Sequence, residues 1–221
     1  MFGSAREGVC KSDSSTRRSD FVRPPVSCVK VGDMPAALPH LVADDVARKW
    51  AGRGGPPTEY AIACGGGTLL GLASMDVSAK WTDEARRGGL GALARATGCE
   101  TFGYVADSHV TIDGRPTEGL LCLELAIVDF GERAADAAAY FARYTRQKRR
   151  FGHDAITIQP MERLESETFG DLARHLMLTW EFVGDPGRVK ALKILSGMNA
   201  HVDIVDRALQ QEIAGLMNAT D

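Results

Sequence analysis

TFGYVADSHVTIDGRPTEGLLCLELAIVDF, residues 101–130, alternates apolar and polar side chains on both sides of a centre rich in turn residues. Phe102, Tyr104, Ala106, Val110 and Ile112 hold even positions of the first run, and Leu121, Leu123, Leu125 and Ile127 hold odd positions of the second. A period of two is that of a half-buried strand. Asp113-Gly114-Arg115-Pro116-Thr117-Glu118-Gly119 supplies the turn chemistry between them. The stretch therefore predicts an antiparallel hairpin over 101–128. Burying both apolar sets on one face requires even residues of the first strand to face odd residues of the second, because a one-residue slip would bury charges instead.

That register class places the polar residues too. With Ile112 opposite Leu121, His109 falls opposite Glu124, and Asp107, two residues away, shares their face. A carboxylate on each side of an imidazole suits acid/base work, or supplies ligands to a divalent metal. Asp107, His109 and Glu124 are thus the candidate catalytic and metal-binding residues, and the chemistry they suggest is metal-assisted hydrolysis. The opposing reading is a wet sheet face with mixed polar residues, where a cross-strand His–Glu pair is worth only tenths of a kcal/mol. No Ser, Cys or Lys nucleophile is set beside the patch by spacing.

Working outward, Cys64-Gly65-Gly66-Gly67-Thr68 follows a short strand candidate at Tyr60 to Ala63 and precedes a helix expected from Leu69. Cys64 at such a turn is a second catalytic candidate, although the run is neither a Walker A loop nor a G-x-S-x-G elbow. Leu41 to Trp50 reads as a helix ended by Arg53-Gly54-Gly55-Pro56-Pro57. A second helix runs from a Thr82 N-cap to about Ala96, with Gly98 as its stop.

Beyond the hairpin, Ala134 to Ala142 favours helix, with a third strand over Tyr140 to Thr145 as the competing assignment. Arg143, Arg146, Lys148, Arg149 and Arg150, interleaved with aromatic residues, form the densest basic cluster. They are the candidate nucleic-acid-binding residues, against the plainer reading of a solvated helix end. In the last third, Phe169, Leu172, Leu176, Trp180 and Val183 share a helical face. Another helix runs to about Ser196, and Val202, Val205, Leu209, Ile213 and Leu216 mark a third. The pair around Gly184 to Gly187 imitates a helix-turn-helix bearing Arg188, Lys190 and Lys193.

Composition bounds the rest. The 221 residues are 44% hydrophobic and 25% charged, with a formal charge of −3, so nothing in the overall balance attracts nucleic acid or an anionic membrane. No run approaches the roughly 18 apolar residues of a membrane-spanning helix. The high Ala, Gly and Arg usage is of a bacterial kind. Five scattered cysteines without a C-x-x-C pair argue for reduced thiols in a cytoplasm. Residues 1–33, with six Ser and six Lys/Arg, lack the apolar content to offset ordering entropy and read as a disordered leader, with Met34 as an alternative start.

The expected fold is accordingly α+β: one domain over 34–221, a small antiparallel sheet built on the 101–128 hairpin, packed by helices, with a helical C-terminal third over 165–221. The expected function is a non-catalytic interaction or regulatory protein that meets a protein partner, or itself, through the C-terminal helices. Metal-assisted hydrolysis and nucleic-acid binding are the alternatives. No cofactor is indicated.

Overall fold

The computed structural model describes residues 38–51, 59–75, 82–129, 133–148, 155–164 and 187–218. The expected leader, the Phe169 to Val183 helix, and Arg149 and Arg150 lie outside these residues. The elements are α1 (Pro39–Ala51), β1 (Glu59–Gly65), β2 (Thr68–Ser74), α2 (Asp83–Thr97), β3 (Thr101–Ile112), β4 (Arg115–Asp129), β5 (Arg133–Gln147), β6 (Ala155–Ile158), β7 (Glu162–Leu164), α3 (Arg188–Gly197), β8 (His201–Ile204) and α4 (Arg207–Asn218).

Strand dominates. One eight-stranded antiparallel sheet runs in the order β6-β5-β4-β3-β1-β2-β8, with β7 also pairing on β5, and it curls around its helices. This overturns the expected small sheet with a helical C-terminal third. Three misread segments account for the difference. Ala134 to Ala142 lies within β5, because Leu121, Leu123 and Leu125 of β4 pair with Phe141, Ala139 and Ala137. Tertiary pairing there outweighs an alanine helix preference of at most about 0.7 kcal/mol per residue. Leu69 opens β2 rather than a helix: Gly66 and Gly67, at φ 57° and 72°, make a tight two-residue turn. His201 to Ile204 forms β8 on β2, so the apolar stripe that read as one long helix is a strand followed by α4.

The hairpin exists, but its turn is tighter than expected. Asp113 and Gly114 alone make it, both with positive φ, so Ile112 pairs with Arg115 instead of Leu121. The even-to-odd rule survives, while the register moves by six residues. Pro116 consequently sits inside β4, opposite Thr111. It is tolerated because 112/115 is the hydrogen-bonded pair. The ring nitrogen at 116 then faces away from β3, on a side where β5 begins pairing only at Gly119.

Both faces of the sheet are covered. On one, Phe102, Tyr104, Leu123 and Leu125 pack with Leu90 and Leu93 of α2 and Leu195 of α3. On the other, Ile62, Leu72, Val105, Leu120 and Cys122 pack with Val42 and Val46 of α1. Each such large side chain contributes on the order of 1.5–3 kcal/mol by leaving water. The expected start and stop of α2 are observed: Thr82 Oγ1 accepts from the Ala85 N–H at 3.2 Å, and Gly98, at φ 65°, donates its N–H to the Ala94 carbonyl at 2.9 Å. One glycine inside α2 has a packing reason. A Cβ on Gly89 would strike the Met198 sulfur, so this glycine lets α3 close onto α2.

Candidate functional site

The tighter turn redistributes the suspected residues. His109 pairs with Glu118, Asp107 with Leu120, and Glu124 with Gly103, four residues before Asp107 in β3. Asp107, His109 and Glu124 do share a face, but they do not converge. Among the described residues no group of three or more His, Cys, Asp or Glu is placed to hold a metal ion.

Asp107 belongs to a different constellation. The Tyr144 hydroxyl donates a short hydrogen bond to Asp107 Oδ1 and lies 3.1 Å from Glu118 Oε1. Arg146 donates to the same hydroxyl at 2.9 Å, to Asp107 Oδ2 at 3.4 Å, and stands 3.3 Å from Glu118, its guanidinium over the Tyr144 ring. Burial, then the bond to Asp107, pushes the phenol's ionisation upward. One phenol and one guanidinium thus serve both carboxylates. The group is internally satisfied, and a cation binding Asp107 would have to displace Arg146. His109 stands exposed beyond it.

Glu124 turns to α1 instead. Its Oε2 accepts from His40 Nδ1 at 2.7 Å and from the His40 backbone N–H at 3.3 Å, in the first turn of α1. The His40 ring stacks on Tyr140 at 3.9 Å. The helix can approach this closely because residue 103, opposite Glu124, is glycine; a Cβ there would overlap Pro39. The arrangement anchors α1 to the sheet and satisfies an N-terminal amide that the helix cannot.

Cys64, Cys99 and Cys122 are all buried and free. Burial, then the neighbouring Cys99 thiol and the Glu124 charge, pushes the Cys64 thiol up to about 12, and burial carries Cys99 to about 12 as well. Thiolate chemistry needs the opposite shift. Cys64 lies at the end of β1, and the Gly66 N–H of the turn is occupied by Glu100 Oε2 at 3.0 Å. The turn is therefore closed by a carboxylate of the chain itself.

Strand geometry also divides the basic cluster. β5 alternates, so Arg143, opposite Gly119, points to the α2 side, whereas Tyr144 and Arg146 point to the α1 side. A helix would have gathered these cations along one side; the strand separates them, and Arg146 is tied to Asp107 and Glu118. Lys148 is exposed just past the strand end.

A more open surface lies at the other end of the sheet, where β8 is a terminal strand among the described ones. An open cleft of about 920 Å³ runs between α3, β8 and α4, with Leu192, Val202 and Ile213 among its lining and Lys193, Ser196 and His201 beside them. No carboxylate stands among its described lining residues. Reading Val202 to Leu216 as a single helix concealed this edge. The available signal was the alternation His201-Val202-Asp203-Ile204, with two β-branched apolar residues spaced by two.

Comparison with protein-family models, with curated proteins and with solved structures finds no match for this chain. Among the described residues no helix is long and apolar enough to cross a membrane.

Proposed function

We propose that this chain is a non-catalytic protein-interaction module whose contact surface is the β8 end of the sheet, with α3 and α4. The observation that carries the reading is a contrast in satisfaction. The acidic candidates Asp107 and Glu124, and Glu118 beside Asp107, are each held by named partners within the chain, while the cleft beside β8 joins apolar side chains to a strand edge that no described strand pairs. Pre-formed clefts with an apolar lining and a few polar groups are where binding concentrates. Three buried free thiols support a reducing compartment, and the cytoplasm is the proposed location.

The test uses the purified full chain. Metal analysis and a general hydrolase screen, with and without added divalent cations, should return neither stoichiometric metal nor turnover. Sedimentation with a candidate partner should give a stoichiometric complex that changes at the β8 end abolish. Stoichiometric metal lost in His109→Ala, together with turnover lost in the same variant, would sink the proposal in favour of hydrolysis.

A further inference from the structure

We infer that β8 accepts an extended segment of a partner protein as an added strand, and that the cations of α3 select a segment bearing carboxylates. The inference rests on the interaction reading above and names the chemistry of the partner.

The direction of the backbone groups follows from one ladder bond. The Val205 N–H donates to the Leu70 carbonyl at 2.9 Å, so residue 205 is bonded inward, toward β2. Antiparallel alternation then turns 203 and 201 inward as well, and turns Val202 and Ile204 outward. The Gln210 side chain donates to the Ile204 carbonyl, as an outward-facing acceptor there requires. The Val202 N–H, the Val202 carbonyl and the Ile204 N–H remain along the edge. No described strand pairs with them. Such a row is a template for strand addition.

The cleft opens beside that edge. The side chains of Val202 and Ile204 lie on the α2–α3 side of the sheet, and Leu192 and Ile213 extend the apolar lining. An added strand would therefore place one of its alternate side chains against an apolar floor. The electrostatics choose among strands. Residues 187–202 contain Arg188, Lys190 and Lys193 and not one Asp or Glu, in a chain whose formal charge is −3. Arg188 is engaged by Glu212, whereas Lys193 is exposed and lines the cleft, one helical turn from exposed Lys190. A second copy of this chain is the poorer occupant. Two β8 edges meeting about a two-fold axis would set these cations against each other.

The experiment is an amide NMR titration of the full chain with a short capped peptide alternating Glu and Val, and with its Lys–Val counterpart. The acidic peptide should bind at least about tenfold more tightly, shifting the Val202 and Ile204 amides and slowing their exchange with solvent. Lys193→Glu should reverse the preference. Val202→Pro removes an outward donor without touching the ladder to β2 and should abolish binding. Should that variant fail to fold, methylating alternate backbone nitrogens of the peptide tests the same bonds on the unaltered chain. Equal binding of both peptides, or shifts confined to other elements, would overturn the inference. So would saturable, salt-sensitive binding of duplex DNA at Lys190 and Lys193 in place of the peptide. A stoichiometric protein complex that leaves the Val202 amide unmoved would defeat the added strand while leaving the interaction reading intact.

Discussion

Both ends of the sheet carry polar groups, and they differ in what those groups have left to offer. At the β3–β5 end, Asp107, Glu118, Tyr144 and Arg146 share protons and charge among themselves. At the β8 end, backbone groups point outward beside an apolar cleft, and the cation that lines it faces no carboxylate in that lining. Residue types alone would have ranked these ends the other way, since the first holds the alternating Asp107, His109 and Glu118. A functional surface is better recognised by unsatisfied bonding capacity than by a density of titratable groups.

That contrast predicts large stability effects where groups are buried and mutually satisfied, and small ones at the open edge. The strongest break should come at the buried pair joining β1 to α2, where Glu59 accepts from Arg86 at 3.0 and 3.3 Å and both side chains are at most 12% exposed. Glu59→Ala removes the acceptor of two Arg86 hydrogen bonds in a buried pair and should cost about 1.5–3 kcal/mol in denaturant unfolding. A loss below about 0.5 kcal/mol would mean that this buried pair matters no more to the fold than an exposed one.

Alkaline pH is the next lever. Burial raises the Cys64 and Cys99 thiols from 9.0 to about 12. Because their folded values lie above the unfolded ones, their contribution to stability is complete below about pH 9 and drains away as pH climbs toward 12. Each thiol should add a slope of about 1.4 kcal/mol per pH unit within that window. Denaturation midpoints followed from neutral pH upward should bend near pH 9, and Cys99→Ala should weaken the bend without removing it, because the buried Cys64 and Cys122 thiols, both also raised, remain. A flat profile would show that these thiols are less enclosed than their neighbours imply.

The satisfied cluster sharpens the comparison on a finer scale. Tyr144→Phe keeps the ring and removes the proton shared by Asp107 and Glu118, so unfolding free energy should fall by about 1 kcal/mol. A gain in stability would mean the carboxylates prefer Arg146 alone. The smallest effect belongs to the open edge: Lys193→Glu should alter thermal stability by no more than about 0.5 kcal/mol while changing what the cleft binds. A large loss of stability there would show that Lys193 already has a partner within the fold, and the two ends would no longer differ.

Much of the fold was legible locally. Thr82 and Gly98 bound α2 as their capping chemistry requires, and the alternation over 101–128 put Phe102, Tyr104, Leu121, Leu123 and Leu125 together on one buried face, although the face expected to be wet is covered as well. The register was not legible. Asp113-Gly114 and the longer Asp113–Gly119 loop satisfy the same even-to-odd rule, and the choice between them moved His109 from Glu124 to Glu118. The observed turn is the two-residue one, with Asp113 and Gly114 both at positive φ, and it lets β3 pair with β4 along its whole length. The candidate site inherited that error, because a three-residue constellation depends on register while a face does not.

By itself, the chain's pattern of apolar and polar residues determined which faces are buried, where helices are capped and where turns can form, since each depends on contacts within a few residues. Only the tertiary structure decided that an alanine-rich run becomes β5, that four residues after α3 become an edge strand, and which carboxylate meets which cation. Those outcomes rest on backbone pairing between segments far apart in sequence. Propensity differences of a few tenths of a kcal/mol per residue cannot set them against the burial of a whole sheet face.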